Sequence, residues 1–169
     1  VQSKSPFSFK GSVSKNYPNS LASFSDFKNL VLKVEKVRAK RLISLDSFVT
    51  LSKDPKVVVL DTRSDFRFKR KHIKGAIHLS FPDFTQANLK KLIPNPNTKI
   101  LIYCNNNFTG DQENFASKIV IPKNKLQRQI LGNKKPIMLA LNIPTFINLY
   151  GYGYKNIFEL GELVNVKDK

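Results

Sequence analysis

The residue best suited to covalent chemistry is Cys104, the only cysteine of the chain. It follows an apolar run at 100–103 and precedes a polar segment at 105–110 that contains three asparagines and a glycine. A free thiol has a pKa of about 8.5, so a reactive cysteine needs backbone N–H groups, a helix N-terminus or a cation to stabilise its thiolate. Cys104 is therefore a candidate nucleophile, and a small inert core thiol is the alternative interpretation.

The segment after Cys104 is a candidate anion-binding loop. Asparagine side chains can donate hydrogen bonds in addition to the backbone N–H groups, so this loop can hold an anion without an arginine. A single cysteine excludes an internal disulfide and a multi-cysteine metal site, and we expect no metal. The candidate loop residues are Asn105, Asn106, Asn107, Phe108, Thr109 and Gly110.

Two apolar runs, at 57–61 and 100–104, predict strands that are buried on both faces. Apolar residues at helical spacing predict an amphipathic helix at 26–41, capped by Ser25 or Asp26. Strands that alternate with helices indicate an α/β fold with a mostly parallel sheet, because parallel neighbours need crossover connections. The other predicted elements are strands at 42–45, 76–79 and 156–160, and helices at 46–52 (capped by Asp46), 64–71, 84–93 and 142–150 (capped by Asn142).

The predicted sheet also indicates where a ligand should bind. Ligands of open α/β sheets lie outside the carboxyl ends of the strands, and Asp61 and Cys104 each end one of the two most apolar strands. Residues 1–25 lack a periodic apolar pattern and are rich in Ser, Lys, Asn and Pro, so we predict a flexible tail. Residues 26–169 then form a single domain.

Four segments, in order, resemble motifs of the rhodanese family of sulfurtransferase-like domains. Residues 57–63 (VVVLDTR) resemble its apolar strand followed by Asp-x-Arg, and 71–77 (KHIKGAI) resemble its Gly-His-Ile-x-Gly-Ala motif. Residues 100–104 (ILIYC) resemble the strand that carries the catalytic cysteine, and 153–157 (GYKNI) resemble a late Gly-Tyr-x-Asn-Val segment. The resemblance covers roughly residues 42–164.

The resemblance implies a fold and an activity. It implies a central five-stranded parallel sheet flanked by helices, and a Cys104 that accepts sulfane sulfur as a persulfide from a donor such as thiosulfate and passes it to a thiol or cyanide. It implies no metal or organic cofactor, because the covalent persulfide divides the transfer into two steps. It assigns supporting, mainly structural roles to Asp61, Arg63 and His72.

The active-site loop departs from the family pattern. The family has Cys-x-x-Gly-x-Arg followed at once by a helix, whereas the first cation after Cys104 is Lys118 and residues 111–136 form an apparent insertion. Lys118 or Arg128 could replace the missing loop cation. The alternative function is a catalytically inactive rhodanese-like module that binds a partner through a basic surface. The related cysteine phosphatases require Cys-x5-Arg, and Gly110 stands at that position.

The net charge is strongly positive. Lys and Arg total 29 and Asp and Glu total 12, so the formal charge is 29 − 12 = +17, which should attract an anionic partner. No helix-turn-helix, zinc-finger or RNA-binding signature accompanies this charge, so we do not expect a nucleic acid partner. No apolar stretch reaches the roughly 18 to 20 residues of a membrane span. The start at Val1 rather than Met fits either a mature exported protein whose leader has been removed or a shortened chain, and the flexible opening slightly favours an exported or periplasmic protein over a cytoplasmic one.

Overall fold

A computed structural model describes residues 19–120, 137–138 and 141–168. Its centre is a sheet of five strands, β1 (Leu42–Ile43), β2 (Val57–Asp61), β3 (Ile77–His78), β4 (Lys99–Tyr103) and β8 (Ile157–Leu160). The strands lie in the order β1-β8-β4-β2-β3, and all neighbouring strands are parallel. The prediction of an α/β fold around a parallel sheet is confirmed.

The two central strands, β2 and β4, pair along their whole length, with Asp61 opposite Tyr103. Their side chains alternate between the two faces of the sheet. The described helices are α1 (Phe24–Ala39), α2 (Leu45–Ser52), α3 (Asp65–Arg70), α4 (Gln86–Leu92) and α5 (Asn142–Gly151). On one face of the sheet Leu60 and Ile102 join a core that α1, α4 and α5 cover, and on the other face Leu101 packs with Phe48 of α2.

The starts of the first two helices differ from the prediction. The N-cap of α1 is Ser23, whose hydroxyl accepts a hydrogen bond from the N–H of Asp26 at 3.2 Å, so the helix begins before Ser25. Ser44 caps α2 in the same way, in place of Asp46. In both cases a serine hydroxyl satisfies a free N–H of the first turn, and the nearby aspartate lies inside the helix. Residues 24 and 25 of the predicted tail are thus helical, and 1–18 lie outside the described residues.

Short strands outside the central sheet organise the segment after Cys104. β5 (Phe108–Thr109) pairs in parallel with β9 (Val164–Asn165). β6 (Ile119–Val120) pairs antiparallel with β7 (Ile137–Met138), which closes the base of the predicted insertion; residues 121–136 lie outside the described part. None of the helices in the described residues is long and apolar enough to cross a membrane.

Candidate functional site

Cys104 lies one residue beyond β4, beside the carboxyl end of β2, where the sequence predicted a ligand site. It is 2% exposed and contributes to the wall of a cavity of about 440 Å³. One part of the wall is apolar, and another carries hydroxyl groups and cations. The lining residues are Thr62, Arg63, Ser64, Arg67, Ser80, Phe81, Pro82, Cys104, Asn105, Ala116, Lys118 and Leu141.

The surroundings of Cys104 have opposing effects on the pKa of its thiol. Burial raises the pKa of the thiol above its ordinary value, because the thiolate is poorly solvated there. The N–H groups of Leu141 and Asn105 and the positive charge of Arg63 lower this pKa, and Asp61 raises it. The Leu141 nitrogen lies 3.4 Å from Sγ. The surroundings therefore favour the neutral thiol at neutral pH, although donors for an anion are already directed at the sulfur.

Asp61 and Arg63 form a buried ion pair below the cavity. Asp61 is fully buried, and Arg63 is 1% exposed. The guanidinium Nη2 donates to Asp61 Oδ2 at 2.7 Å, and Nε lies 3.0 Å from each carboxylate oxygen. The hydroxyl of Tyr103 donates to the same Oδ2 at 2.5 Å. Burial, followed by the Asp61 charge, raises the pKa of this phenol, so it stays a donor.

The remaining N–H groups of Arg63 join the loops around the site. Nη2 donates to the carbonyl of Lys71 at 2.7 Å, and Nη1 lies 3.3 Å from Asn105 Oδ1 and from the carbonyl of Asn114. The guanidinium carbon also lies 4.7 Å from the centroid of the Phe115 ring. Most of the positive charge of Arg63 is thus engaged by Asp61, and the side chain connects β2 to three other segments.

Asn107 is the centre of a second hydrogen-bond network. Its Oδ1 accepts from the N–H of Cys104 at 2.9 Å and from Nδ2 of Asn142 at 2.8 Å, and its Nδ2 donates to the carbonyl of Leu160 at 2.7 Å. Asn142 is therefore not the helix cap that the sequence predicted. Leu141 is the N-cap residue of α5, and its apolar side chain has no acceptor for a cap bond; the Asn142 side chain turns to the Cys104 loop.

The other loop residues have different surroundings. Asn105 is the one member of the predicted anion-binding loop, all of which the structure describes, that lines the cavity. Asn106 Oδ1 accepts from the N–H of Lys118 at 2.8 Å. Phe108 packs against Phe115 in the core, with ring centroids 4.4 Å apart, and Thr109 belongs to β5. Gly110 has a φ of 85°, a conformation that favours glycine.

The two histidines lie on either side of the Phe68 ring. His72, a predicted supporting residue, is exposed, stacks on Phe68 at 3.9 Å and hydrogen-bonds its carbonyl at 2.7 Å. His78 was not predicted; it stacks on the same ring at 4.5 Å, and Nε2 donates to the carbonyl of Arg63 at 2.8 Å. The pairing of β3 with β2 could have indicated His78, because it lies opposite Asp61 in the register.

Among the described residues, two cations other than Arg63 line the cavity. Lys118, a predicted replacement for the missing loop cation, is one of them, and Arg128 lies outside that part of the chain. The other is Arg67, which sequence reasoning missed. It lies in the first turn of α3, four residues after Arg63, and this closeness in sequence was the available signal. Within the described segments, no group of three His, Cys, Asp or Glu side chains could hold a metal ion.

The family model described as Rhodanese-like domain matches residues 44–158. The match includes both central strands, the Asp61–Arg63 pair, Cys104 and the whole of α5. The chain belongs to the rhodanese-like domain family. No curated protein matches the chain.

Proposed function

We propose that this protein is a sulfurtransferase that carries sulfane sulfur as a persulfide on Cys104. The observation that carries the proposal is the position of Cys104: it lines the cavity together with Arg67 and Lys118, and its Sγ receives the Leu141 N–H. An anionic donor needs positive charge near the nucleophile, because two anions otherwise repel each other. The cavity volume of about 440 Å³ corresponds to roughly fifteen waters at about 30 Å³ each, enough for a small donor or acceptor.

The reaction balances without a cofactor. The Cys104 thiol first loses its proton, and the thiolate attacks the outer sulfur of thiosulfate; a new S–S bond forms and sulfite leaves with the electron pair of the old one. A thiolate or cyanide then attacks the outer sulfur of the persulfide and regenerates the Cys104 thiolate. The N–H groups of Leu141 and Asn105 stabilise the anionic sulfur during these steps.

The decisive experiment is the mass of the intact protein after incubation with thiosulfate, beside a Cys104→Ser control. We expect the wild type alone to gain one sulfur atom, which cyanide then removes as thiocyanate. Serine is close in size to cysteine and cannot form a persulfide, so the control separates covalent loading from adventitious binding. A folded wild type with an accessible thiol that gains no sulfur from thiosulfate or from an organic persulfide would refute the proposal.

A second experiment tests the cations of the cavity. Arg67→Ala and Lys118→Ala should each raise the thiosulfate concentration for half-maximal loading about tenfold, the effect of one hydrogen bond to a charged group. Lys69→Ala is the matched control, since Lys69 is an exposed cation on α3 that does not line the cavity. Loading that is unchanged in both cavity variants would remove the cations from the mechanism.

The second candidate function is a catalytically inactive rhodanese-like module that binds an anionic partner. The observation in its favour is the burial of Cys104, which raises the pKa of the thiol and disfavours the nucleophilic form. Retained folding and salt-sensitive anion binding, together with the absence of any persulfide, would select this function.

A further inference from the structure

The Cys104 loop and the helix end that faces its sulfur are distant in the chain. The Leu141 N–H that donates to Sγ comes 37 residues after Cys104. β6 and β7 pair between them, so a strand pair, and not a direct turn into the helix, separates the Cys104 loop from α5 in the chain. Tertiary contacts must therefore hold the start of α5 over the sulfur.

The side chains of Asn107 and Asn142 make such a contact. They join the Cys104 loop to the first residue of α5 through a hydrogen bond of 2.8 Å, and they are 6% and 4% exposed. The oxygen that accepts this bond, Asn107 Oδ1, also accepts from the backbone N–H of Cys104. One buried atom thus fixes the backbone of the cysteine relative to the helix.

The N-terminus of a helix can stabilise a thiolate, and the N-terminus of α5 faces Sγ of Cys104. The first N–H groups of a helix have no intrahelical acceptor, and the N-terminus carries a partial positive charge. Leu141 is the N-cap residue of α5, so its N–H is free to donate to Sγ. A shift of α5 away from the loop would remove this donor and the favourable end of the helix dipole from the sulfur together.

We infer that Asn107 and Asn142 are positioning residues, which hold the N-terminus of α5 against the sulfur of Cys104. The inference rests on the proposed function, because positioning the helix matters for catalysis only if Cys104 transfers sulfur. Neither capping nor packing alone accounts for Asn142. It makes no cap bond, and among the described residues its buried Oδ1 has no hydrogen-bond partner, an unfavourable arrangement that an apolar side chain would avoid.

The test compares Asn142→Leu with Asn148→Leu. Both exchanges put the same side chain on α5, but Asn148 bonds the carbonyl of Pro144 within the helix and does not contact the loop. The readout is the rate of alkylation of Cys104 by iodoacetamide as a function of pH. We expect Asn142→Leu to raise the midpoint of this profile by about one pH unit, and Asn148→Leu to leave it unchanged. Persulfide loading should slow about tenfold at neutral pH in Asn142→Leu only.

A second variant guards against misfolding. Asn142→Ala adds no bulk and favours the helix, and thermal unfolding of each variant shows whether the fold is retained. Folded Asn142→Leu and Asn142→Ala proteins with the wild-type midpoint would overturn the inference. The alkylation profile does not depend on sulfur transfer: a wild type that takes up no sulfur would refute the proposed function, whereas a shifted midpoint in the same preparation would still support the positioning role.

Discussion

Replacement of Arg63 by methionine should lower the free energy of unfolding by about 3 to 5 kcal/mol, the usual effect of removing one partner of a buried ion pair. In the wild type, Asp61 is fully buried and receives hydrogen bonds from Arg63 and from the hydroxyl of Tyr103. The substitution removes the ion-pair partner and leaves the carboxylate with the phenol and the backbone N–H of residue 63, which lies 2.9 Å from Oδ1. It also removes the donor that lies 2.7 Å from the carbonyl of Lys71.

This loss is large on the scale of the whole fold, because domains of this size are stable by about 5 to 15 kcal/mol. Urea unfolding followed by circular dichroism measures it. Arg67→Met is the matched control, since Arg67 is only half-buried and should cost less than about 1 kcal/mol. The double variant Asp61→Leu/Arg63→Met should recover part of the loss, because no uncompensated charge remains. An Arg63→Met protein as stable as Arg67→Met would refute the reasoning.

Three further predictions concern other parts of the molecule. Gly110→Ala should cost about 0.5 to 1.5 kcal/mol more than Gly75→Ala, although both glycines have a positive φ. A Cβ at Gly110 would lie 2.4 Å from Oδ1 of Asn165, so the end of that side chain must move and give up its hydrogen bond from the N–H of Lys167, whereas a Cβ at Gly75 meets nothing within 4 Å. Equal losses in urea unfolding would contradict this difference. Alkylation of Cys104 by iodoacetamide should keep accelerating above about pH 9, because burial raises the pKa of the thiol, and a plateau below about pH 8 would contradict this. The native protein then holds the thiol proton more tightly than the unfolded chain does, so the free energy of unfolding should fall as the pH rises beyond the pKa of the unfolded state. Arg38→Met should destabilise the protein more than Glu159→Gln in the same unfolding assay. Without Arg38, the Glu159 carboxylate stays buried and charged at 3% side-chain exposure, whereas without the Glu159 charge, Arg38, at 23%, can turn to solvent. The opposite order would contradict this assignment of burial.

The two central strands of the sheet could be predicted because the apolar pattern that defines each strand lies within the strand itself. The run at 57–61 became β2 without a change of bounds, and the run at 100–104 became β4 with a shift of one residue. Such continuous apolar, β-branched segments are buried on both faces in any parallel sheet, whatever the rest of the chain does. The position of Cys104 at the carboxyl end of β4 followed from the same pattern and from the motif order.

The wall of the cavity depends on contacts that local patterns do not encode. Arg67 lines it through the way α3 packs after β2, and Leu141 reaches Sγ although it comes 37 residues after Cys104 in the chain. The same limit explains the wrong cap: Asn142 is a favourable N-cap residue by type, but Asn107 offers its side chain a buried acceptor on another segment. The β5–β9 pair, likewise, joins short strands far apart in sequence.

The paired strands β6 and β7 lie, in sequence, between the Cys104 loop and α5, the two segments that surround the sulfur. Asn107 and Asn142 join the Cys104 loop directly to the start of α5, across the 37 residues that separate Cys104 from Leu141. Loop-closure entropy grows only slowly with length, by about 0.6 kcal/mol for each doubling. A connection twice as long between the paired strands β6 and β7 would therefore cost the assembly of the sulfur environment only about this amount of loop-closure entropy.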